Sequence, residues 1–289
     1  MKRVRKVVFP VAGMGTRFLP ATKAVPKEML PVVDRPLIQY AVDEAREAGI
    51  EQFVFVTGRN KHVIEDHFDH AYELESLLEG KNKTAELNGL LEMLPKTGTV
   101  MFTRQQKPLG LGHAVWCARE MIGDEPFAVM LPDDFIDAAP GCLAQMVEAY
   151  GRTGGNIIAV EDVPHEHTQR YGVLAPGTHT GNLVEVKGLV EKPKPADAPS
   201  NLAVIGRYIL DPAIFAELDR HQVGAGGEIQ LTDAMAKLIG RMPFHGLRFS
   251  GTRYDCGDKT GFLHATVAMG LKRADLGPGF RDILKAMDI

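Results

Sequence analysis

Residues 11–30 read VAGMGTRFLPATKAVPKEML and follow directly on the apolar run Val7–Ala12. A short continuous apolar run of this kind predicts a buried strand of parallel-sheet type. The twenty residues hold two glycines, Arg17, two lysines and two prolines, far more than a simple turn needs. Gly13 and Gly15 carry no Cβ, so backbone N–H groups there can approach an anion closely. Arg17 can fork onto phosphate oxygens, and Lys27 adds a point charge from a second turn. A strand that runs into such a loop predicts a cradle for a triphosphate. Two other phosphate loops are excluded. No GxxxxGK[ST] string occurs, and the GxGxxG fingerprint would need glycine where Phe18 stands. The second absence argues against a nicotinamide-dependent dehydrogenase.

Outward from this loop, Pro36 starts a helix with Leu37, Ile38, Ala41, Val42, Ala45 and Ala48 on one face, and Gly49 ends it. Phe53–Val56 is the next strand, completing a strand–helix–strand unit whose crossover is expected to be right-handed. Further strands are predicted near Val100–Arg104, over FAVMLPDD (127–134), ending in two acids, and over NIIAVEDV (156–163), with a helix from about His113 to Met121. Residues 62–97 read as a charged helical insertion. They either serve assembly or pack as a surface helix pair on their own domain. Residues 171–210 break into short strands and turns, expected as a smaller sheet over the C-terminal edge. Helices return at 212–220, at 229–240 and from 259 onward. The alternation predicts an α/β fold with a doubly wound, mostly parallel (Rossmann-like) sheet, a smaller β subregion and C-terminal helices. Residues 1–258 would form the catalytic domain and 259–289 a helical segment.

The chain has 289 residues, enough for one large α/β domain or two small ones. Lysine and arginine number 33 against 37 acids, a net charge of −4. That gives no general field for nucleic acid. An anionic substrate would need its positive charge concentrated in one place, as it is in 11–30. Three cysteines, an odd and small number, fit a reduced cytoplasm better than a disulfide framework. The basic start MKRVRK runs into an apolar stretch shorter than a signal-peptide core. No apolar stretch approaches the roughly 18 residues that a membrane span needs, so no membrane partner is expected.

Several side chains invite chemistry. Asp133 and Asp134 follow a buried strand, where ligands bind in open α/β sheets. A carboxylate there can hold Mg²⁺ against phosphates or cap the next segment. Gln105 precedes the glycine turn 110–112. Its amide can both donate to and accept from a pyrimidine edge, or it can face water. Asp258 suits a helix N-cap. His165, Glu166 and His167 have no third ligand at a regular spacing, and Cys256 has no neighbouring base. Trp116 reads as core, and Glu73, Glu75 and Glu79 as a solvated helix face.

The string G-x-G-T-R-(x)2-P-x-T-K-x-x-P-K is followed in order by FVTGRNKHVIEDHFD, RQQKPLGLGHAV, LPDD, RYGV, VEKP, GGEIQLTDA and YDCGDKTGF. Together they resemble the nucleotidyltransferases that make sugar nucleotides from a nucleoside triphosphate and a sugar 1-phosphate. The likeness covers nearly the whole chain and is strongest to the uridylyl-transferring branch. It implies the reaction UTP + glucose 1-phosphate ⇌ UDP-glucose + pyrophosphate, with Mg²⁺ on Asp133 and Asp255. It implies that Ala12, Gly13 and Gly15 hold the triphosphate, and that Arg17, Lys27 and Lys192 act in catalysis. Gln105 would read the uracil with Gly110 beside it, and Asp134 would contact substrate. Glu28 stands where many thymidylyltransferases carry glutamine, which leans towards uridine. Glu191 would accept glucose hydroxyls, and Gly172 and Gly206 would let backbone approach the pyranose. The role of Arg207 stays open. The resemblance also suggests a homodimer or homotetramer. The same chemistry with dTTP or another hexose phosphate is an alternative. A non-catalytic nucleotide-sugar sensor is another, which the presence of all these acids and cations opposes.

Overall fold

The computed structural model describes residues 2–287, so Met1 and the last two residues of the expected C-terminal segment lie outside it. In chain order come β1 (Lys6–Val11), the ribbon β2 (Pro31–Val32) and β3 (Arg35–Pro36), α1 (Leu37–Glu47), β4 (Gln52–Thr57), α2 (His62–His67), α3 (Tyr72–Gly80), α4 (Thr84–Met93) and β5 (Val100–Arg104). Then follow α5 (Leu111–Trp116), α6 (Arg119–Ile122), β6 (Phe127–Met130), β7 (Asp134–Asp137), α7 (Cys142–Thr153) and β8 (Asn156–Asp162). The chain ends with β9 (Gly172–Thr180), β10 (Leu183–Glu191), β11 (Leu202–Leu210), α8 (Ile214–Leu218), α9 (Leu231–Leu238), β12 (Phe244–Arg248), β13 (Thr252–Asp255), α10 (Lys259–Lys272) and α11 (Gly277–Ala286).

Nine strands form one sheet in the order β5-β4-β1-β6-β11-β8-β12-β10-β9. β1 lies between β4 and β6, parallel to both, with Val7 opposite Phe53 on one side and Ala128 on the other. The chain therefore builds outward from β1 in one direction (β4, then β5) and returns to its other side with β6. The loops after β1 and β6 flank the crevice at that reversal, the switch point where ligands bind in open α/β sheets. Alternation along the strands covers both faces. Val7, Phe9 and Val11 join a core with α1 and α7, while Val8 joins the core beneath α5, α6, α8 and α9. Phe9, Phe55 and Phe102 stack across three neighbouring strands at 5.0 and 5.2 Å.

The α/β, doubly wound class holds, and 171–210 is where the arrangement differs from expectation. These strands join the main sheet instead of forming one above it. β11 is wedged between β6 and β8, antiparallel to both, and β10 and β9 close the far edge. All nine residues of β11 are buried. Its apolar run, LAVIGRYIL, is what a strand covered on both faces requires.

The helix expected over 113–121 breaks into α5 and α6, and the C-terminal segment into α10 and α11. In the insertion, α2 buries Ile64 in the core, while α3 and α4 bury no residue. The end of α4 is tied to α1, where Gln39 Nε2 and Arg46 Nη1 donate to the carbonyls of Met93 and Glu92. Among the described residues no helix is long and apolar enough to cross a membrane.

Candidate active site

The loop after β1 folds back on itself around Gly15. This residue has φ 65°, and a Cβ there would press to 3.2 Å on Lys27 Cβ and on Thr22 Cγ2. Thr22 Oγ1 donates to the Gly15 carbonyl at 2.7 Å. The fold-back carries Lys27 across the switch point, where its Nζ donates to Asp133 Oδ2 at 2.5 Å. Burial opposes the charge on both partners, and their mutual attraction outweighs it. The Lys27 ammonium titrates above its ordinary range, and the Asp133 carboxyl titrates below its own. Gly13 has open space on its Cβ side, as close approach of a ligand to backbone requires.

Arg17 and Asp255 meet this pair at Gly257. The Arg17 Nη1 donates to the Gly257 carbonyl at 3.3 Å, and the Gly257 N–H donates to Asp255 Oδ1 at 3.0 Å. A Cβ on Gly257 would sit 2.9 Å from Asp255 Oδ1, 3.3 Å from Asp133 Oδ2 and 3.4 Å from Arg17 Nη1. The Cys256 N–H donates to the Asp133 carbonyl at 2.8 Å, which ties the two acidic segments together. Burial, with Asp134 adding to it, pushes the Asp255 carboxyl above its usual range. No group of three or more metal-ligating side chains occurs among the described residues. Two carboxylates around one glycine-sized space fit a hard cation that takes its remaining oxygens from phosphates and water.

A cleft of about 560 Å³ opens beside these acids and includes Tyr171, Gly172, Glu191, Lys192 and Thr232 in its wall. Lys192 adopts the left-handed region at φ 46°, rare for a lysine and sustained only where neighbours enforce it. Its N–H donates to the Tyr171 carbonyl at 2.9 Å, and its Nζ lies 3.5 Å from Glu191 Oε1. A Cβ on Gly172 would sit 3.3 Å from Glu191 Oε2. A second cavity of about 420 Å³ lies on the other side of the loop after β1, lined in part by Ala12, Gly13, Gly58, Lys61, Gln105 and Pro108. Gln105 is buried. Its Nε2 donates to the Gly110 carbonyl at 3.0 Å and lies 3.1 Å from His113 Nδ1. The amide oxygen therefore remains to accept from a ligand.

Four expected substrate contacts also have partners within the chain, and two of them, Gly206 and Asp134, line the cleft. Gly206 is small because a Cβ would meet Asp134 Oδ2 at 2.6 Å. Its N–H already donates to that oxygen, and its carbonyl accepts from Leu131 N–H. The other oxygen of Asp134 is held by Arg253, whose Nε donates to it at 2.6 Å. Gly110, at φ 104°, approaches Ile229 so closely that a Cβ would come within 2.8 Å of its carbonyl. Glu28 lines neither cavity. It is 1% exposed and paired with buried Lys61, Nζ to Oε2 2.8 Å, and burial raises its carboxyl pKa. Arg207 is structural. Fully buried, it grips Glu44 of α1 through Nε and Nη2 and donates through Nη1 to the Leu131 carbonyl. Asp258 caps α10 as expected, accepting from Gly261 N–H at 2.9 Å. Trp116 is only half-buried, with Nε1 donating to Asp219 and Arg119 stacked on its ring.

Sequence reading missed Arg253, Tyr171 and Lys61. The alternation in TRYD, with Arg253 and Asp255 on one face of a strand, was the available signal for Arg253.

A switch-point cleft with cations on a glycine loop and two facing carboxylates is the constellation of a phosphate-transferring α/β protein, and comparison with known proteins agrees. The nucleotidyl transferase family profile matches residues 6–270, and the chain belongs to that family. A UTP–glucose-1-phosphate uridylyltransferase of Komagataeibacter xylinus is 56% identical over 90% of this chain and 91% of its own length. A UTP-bound UGPase of Acinetobacter baumannii superposes with a TM-score of 0.89 at 42% identity, covering 97% of this chain and 98% of that one. A UDP-glucose pyrophosphorylase solved with UDP-glucose gives 0.84 at 44% identity, covering 93% of this chain and all of that one.

Proposed function

We propose that the chain transfers a uridylyl group: UTP + glucose 1-phosphate ⇌ UDP-glucose + pyrophosphate. The observation that carries this reading is the meeting of Lys27, Arg17, Asp133 and Asp255 around Gly257 at the wall of the cleft. The cavity bearing Gln105 takes the nucleoside, with the Gln105 amide oxygen accepting the uracil N3–H. The cleft bearing Glu191 and Lys192 takes glucose 1-phosphate. Relatives named for the same substrates, at 46–56% identity, support this.

One oxygen of the sugar phosphate attacks the α-phosphorus in line, and pyrophosphate departs opposite. The P–O bond to the sugar phosphate forms as the α–β bridging bond breaks, and its electron pair leaves with pyrophosphate. The attacking oxygen is already anionic, so no protein nucleophile or strong base is required. The obstacle is bringing two polyanions together, which makes catalysis positioning and neutralisation. Arg17 and Lys27 hold the β- and γ-phosphates and stabilise the leaving pyrophosphate. Lys192 holds the sugar phosphate, and Glu191 accepts glucose hydroxyls. Nucleotidyl transfer commonly uses a divalent metal. Asp133 and Asp255 would hold Mg²⁺, which supplies charge neutralisation at the phosphates.

The protein is read as a cytoplasmic enzyme whose product serves carbohydrate and polysaccharide synthesis. It is also read as a homodimer or homotetramer, supported by exposed Tyr72, Leu74 and Leu77 on α3 and by Leu263, Leu276 and Ile283 at the C-terminal helices. Pyrophosphate release with Mg²⁺, glucose 1-phosphate and each of UTP, dTTP, CTP, ATP and GTP tests the reaction. A clear UTP preference is expected. Turnover mainly with dTTP would overturn the uridine assignment, and none with any nucleotide would overturn the transferase assignment.

A further inference from the structure

Arg253 lies on β13 two residues before Asp255, and its side chain is 8% exposed. One end of its guanidinium holds the acids. Nε donates to Asp134 Oδ1 at 2.6 Å, Nη2 reaches the same oxygen at 2.5 Å, and Asp255 Oδ2 is 3.8 Å away. The other end reaches the sugar side. Nη1 is 3.5 Å from the Tyr171 hydroxyl and 3.6 Å from Glu161, and the guanidinium carbon lies 5.3 Å from the Tyr171 ring centroid. Tyr171 in turn accepts the Lys192 N–H on its carbonyl. The residue after it, Gly172, faces Glu191 across the β9–β10 ladder. One side chain thus touches both the segment bearing Asp255 and the segment that fixes Glu191 and Lys192. These two segments come from opposite regions of the fold and share no ladder, since β13 pairs only with β7.

We propose that Arg253 is a positioning residue that sets the distance between Asp255 and the Glu191–Lys192 pair, and so the alignment of the sugar phosphate with the α-phosphate. The inference rests on the roles given above to Asp255 and Lys192. A cation that only neutralised Asp134 and Asp255 could be lysine. A strut needs the planar fork and the aromatic stacking that only arginine offers. The nucleoside cavity does not include Arg253, so the strut acts chiefly on the sugar-phosphate side.

The test is Arg253→Lys in the full chain, with Tyr171→Phe as a milder variant that removes only the far hydroxyl. For Arg253→Lys, the glucose 1-phosphate KM is expected to rise and kcat to fall, each about tenfold. Misplacement of a reacting group by about 1 Å can cost as much as 10²-fold. The UTP Kd by calorimetry stays within about twofold, because Arg253 does not line the nucleoside cavity. Tyr171→Phe shifts KM and kcat in the same direction by less. The double variant falls short of the product of the two, as residues in contact do. Wild-type kinetics in Arg253→Lys would overturn the proposal, and so would equal loss of UTP affinity. A loss that scales only with the unfolded fraction would also overturn it. Asp255→Asn and Lys192→Ala serve as controls. Normal turnover by both would remove the site assignment itself, whatever Arg253→Lys does.

Discussion

Lys27 pairs with Asp133 at 2.5 Å, so one cation of the loop already meets one acid of the cleft. Lys27→Ala is expected to keep the circular dichroism of the parent and to lower kcat by roughly 10²-fold or more, the usual cost of one preorganised charge-stabilising donor. Near-normal turnover would remove Lys27 from the mechanism. His113 makes a different prediction. Burial, aided by nearby His221, holds its pKa below the ordinary histidine value, so the ring stays neutral to lower pH. Neutral, its Nδ1 can accept from Gln105 Nε2. Protonated, it presents a donor to a donor, and the Gln105 amide must turn. The KM for UTP is therefore expected to rise only at pH below the ordinary histidine range, and His113→Asn, which keeps an acceptor without titrating, flattens that rise. An unchanged acid limb in the variant would break the link. At this scale the sequence pointed to Arg17, Lys27, Asp133, Asp255 and Gln105 because cations, acids and glycines lay in recognisable strings, and the structure gathers the first four around Gly257 and places Gln105 in a neighbouring cavity. The sequence did not disclose the partners that Gly206, Glu28 and Asp134 have within the chain, although Gly206 and Asp134 do line the cleft. A glycine or a carboxylate reads the same whether its partner is a ligand or another part of the chain, and their partners are distant in sequence: Asp134 for Gly206, Lys61 for Glu28, and Arg253 for Asp134.

At the scale of elements, β11 is held in the middle of the sheet by its ladders to β6 and β8, and one buried ion pair ties it to α1. Arg207 grips Glu44 of α1, and Glu44 Oε1 also accepts the Leu143 N–H at the start of α7. Arg207 donates as well to the carbonyl of Leu131, two residues before Asp133. Arg207→Met would leave the Glu44 carboxylate buried and unpaired, a loss of about 3–5 kcal/mol, measurable as a lower denaturant midpoint. Arg207→Met combined with Glu44→Leu is expected to recover much of that stability, since a well-packed apolar pair of similar volume can replace a buried ion pair. No recovery would mean that the Leu131 contact, not the lone charge, dominates. The strands β1, β4, β5, β6 and β8 were legible from their apolar runs, and the helices from their one-sided faces. The place of β11 was not. Its burial on both faces is visible in LAVIGRYIL, but its neighbours are not, because β6 and β8, and the Glu44 that its Arg207 grips, all lie far from it in sequence.

For the whole molecule, the apolar residues left on α3 and on the C-terminal helices are spread over two separate surfaces. Light scattering is expected to give a multiple of 31.6 kDa, and a particle of that mass alone would refute assembly. Replacing Leu74 and Leu77 by lysine should lower the assembly number if α3 forms a contact, with the fold unchanged because neither side chain is buried.

The contact between Lys27 and Asp133 has one more consequence. Seen from a distance, two opposite charges 2.5 Å apart form a dipole whose field dies away quickly. The chain as a whole carries −4, so it offers a polyanion no long-range welcome. Capture of the triphosphate is then an exchange of partners made at contact: the ammonium releases one anion as it accepts another. Salt screens the repulsion between two anions, so the association rate is expected to rise modestly with ionic strength, in contrast to clefts that draw their ligands in from afar.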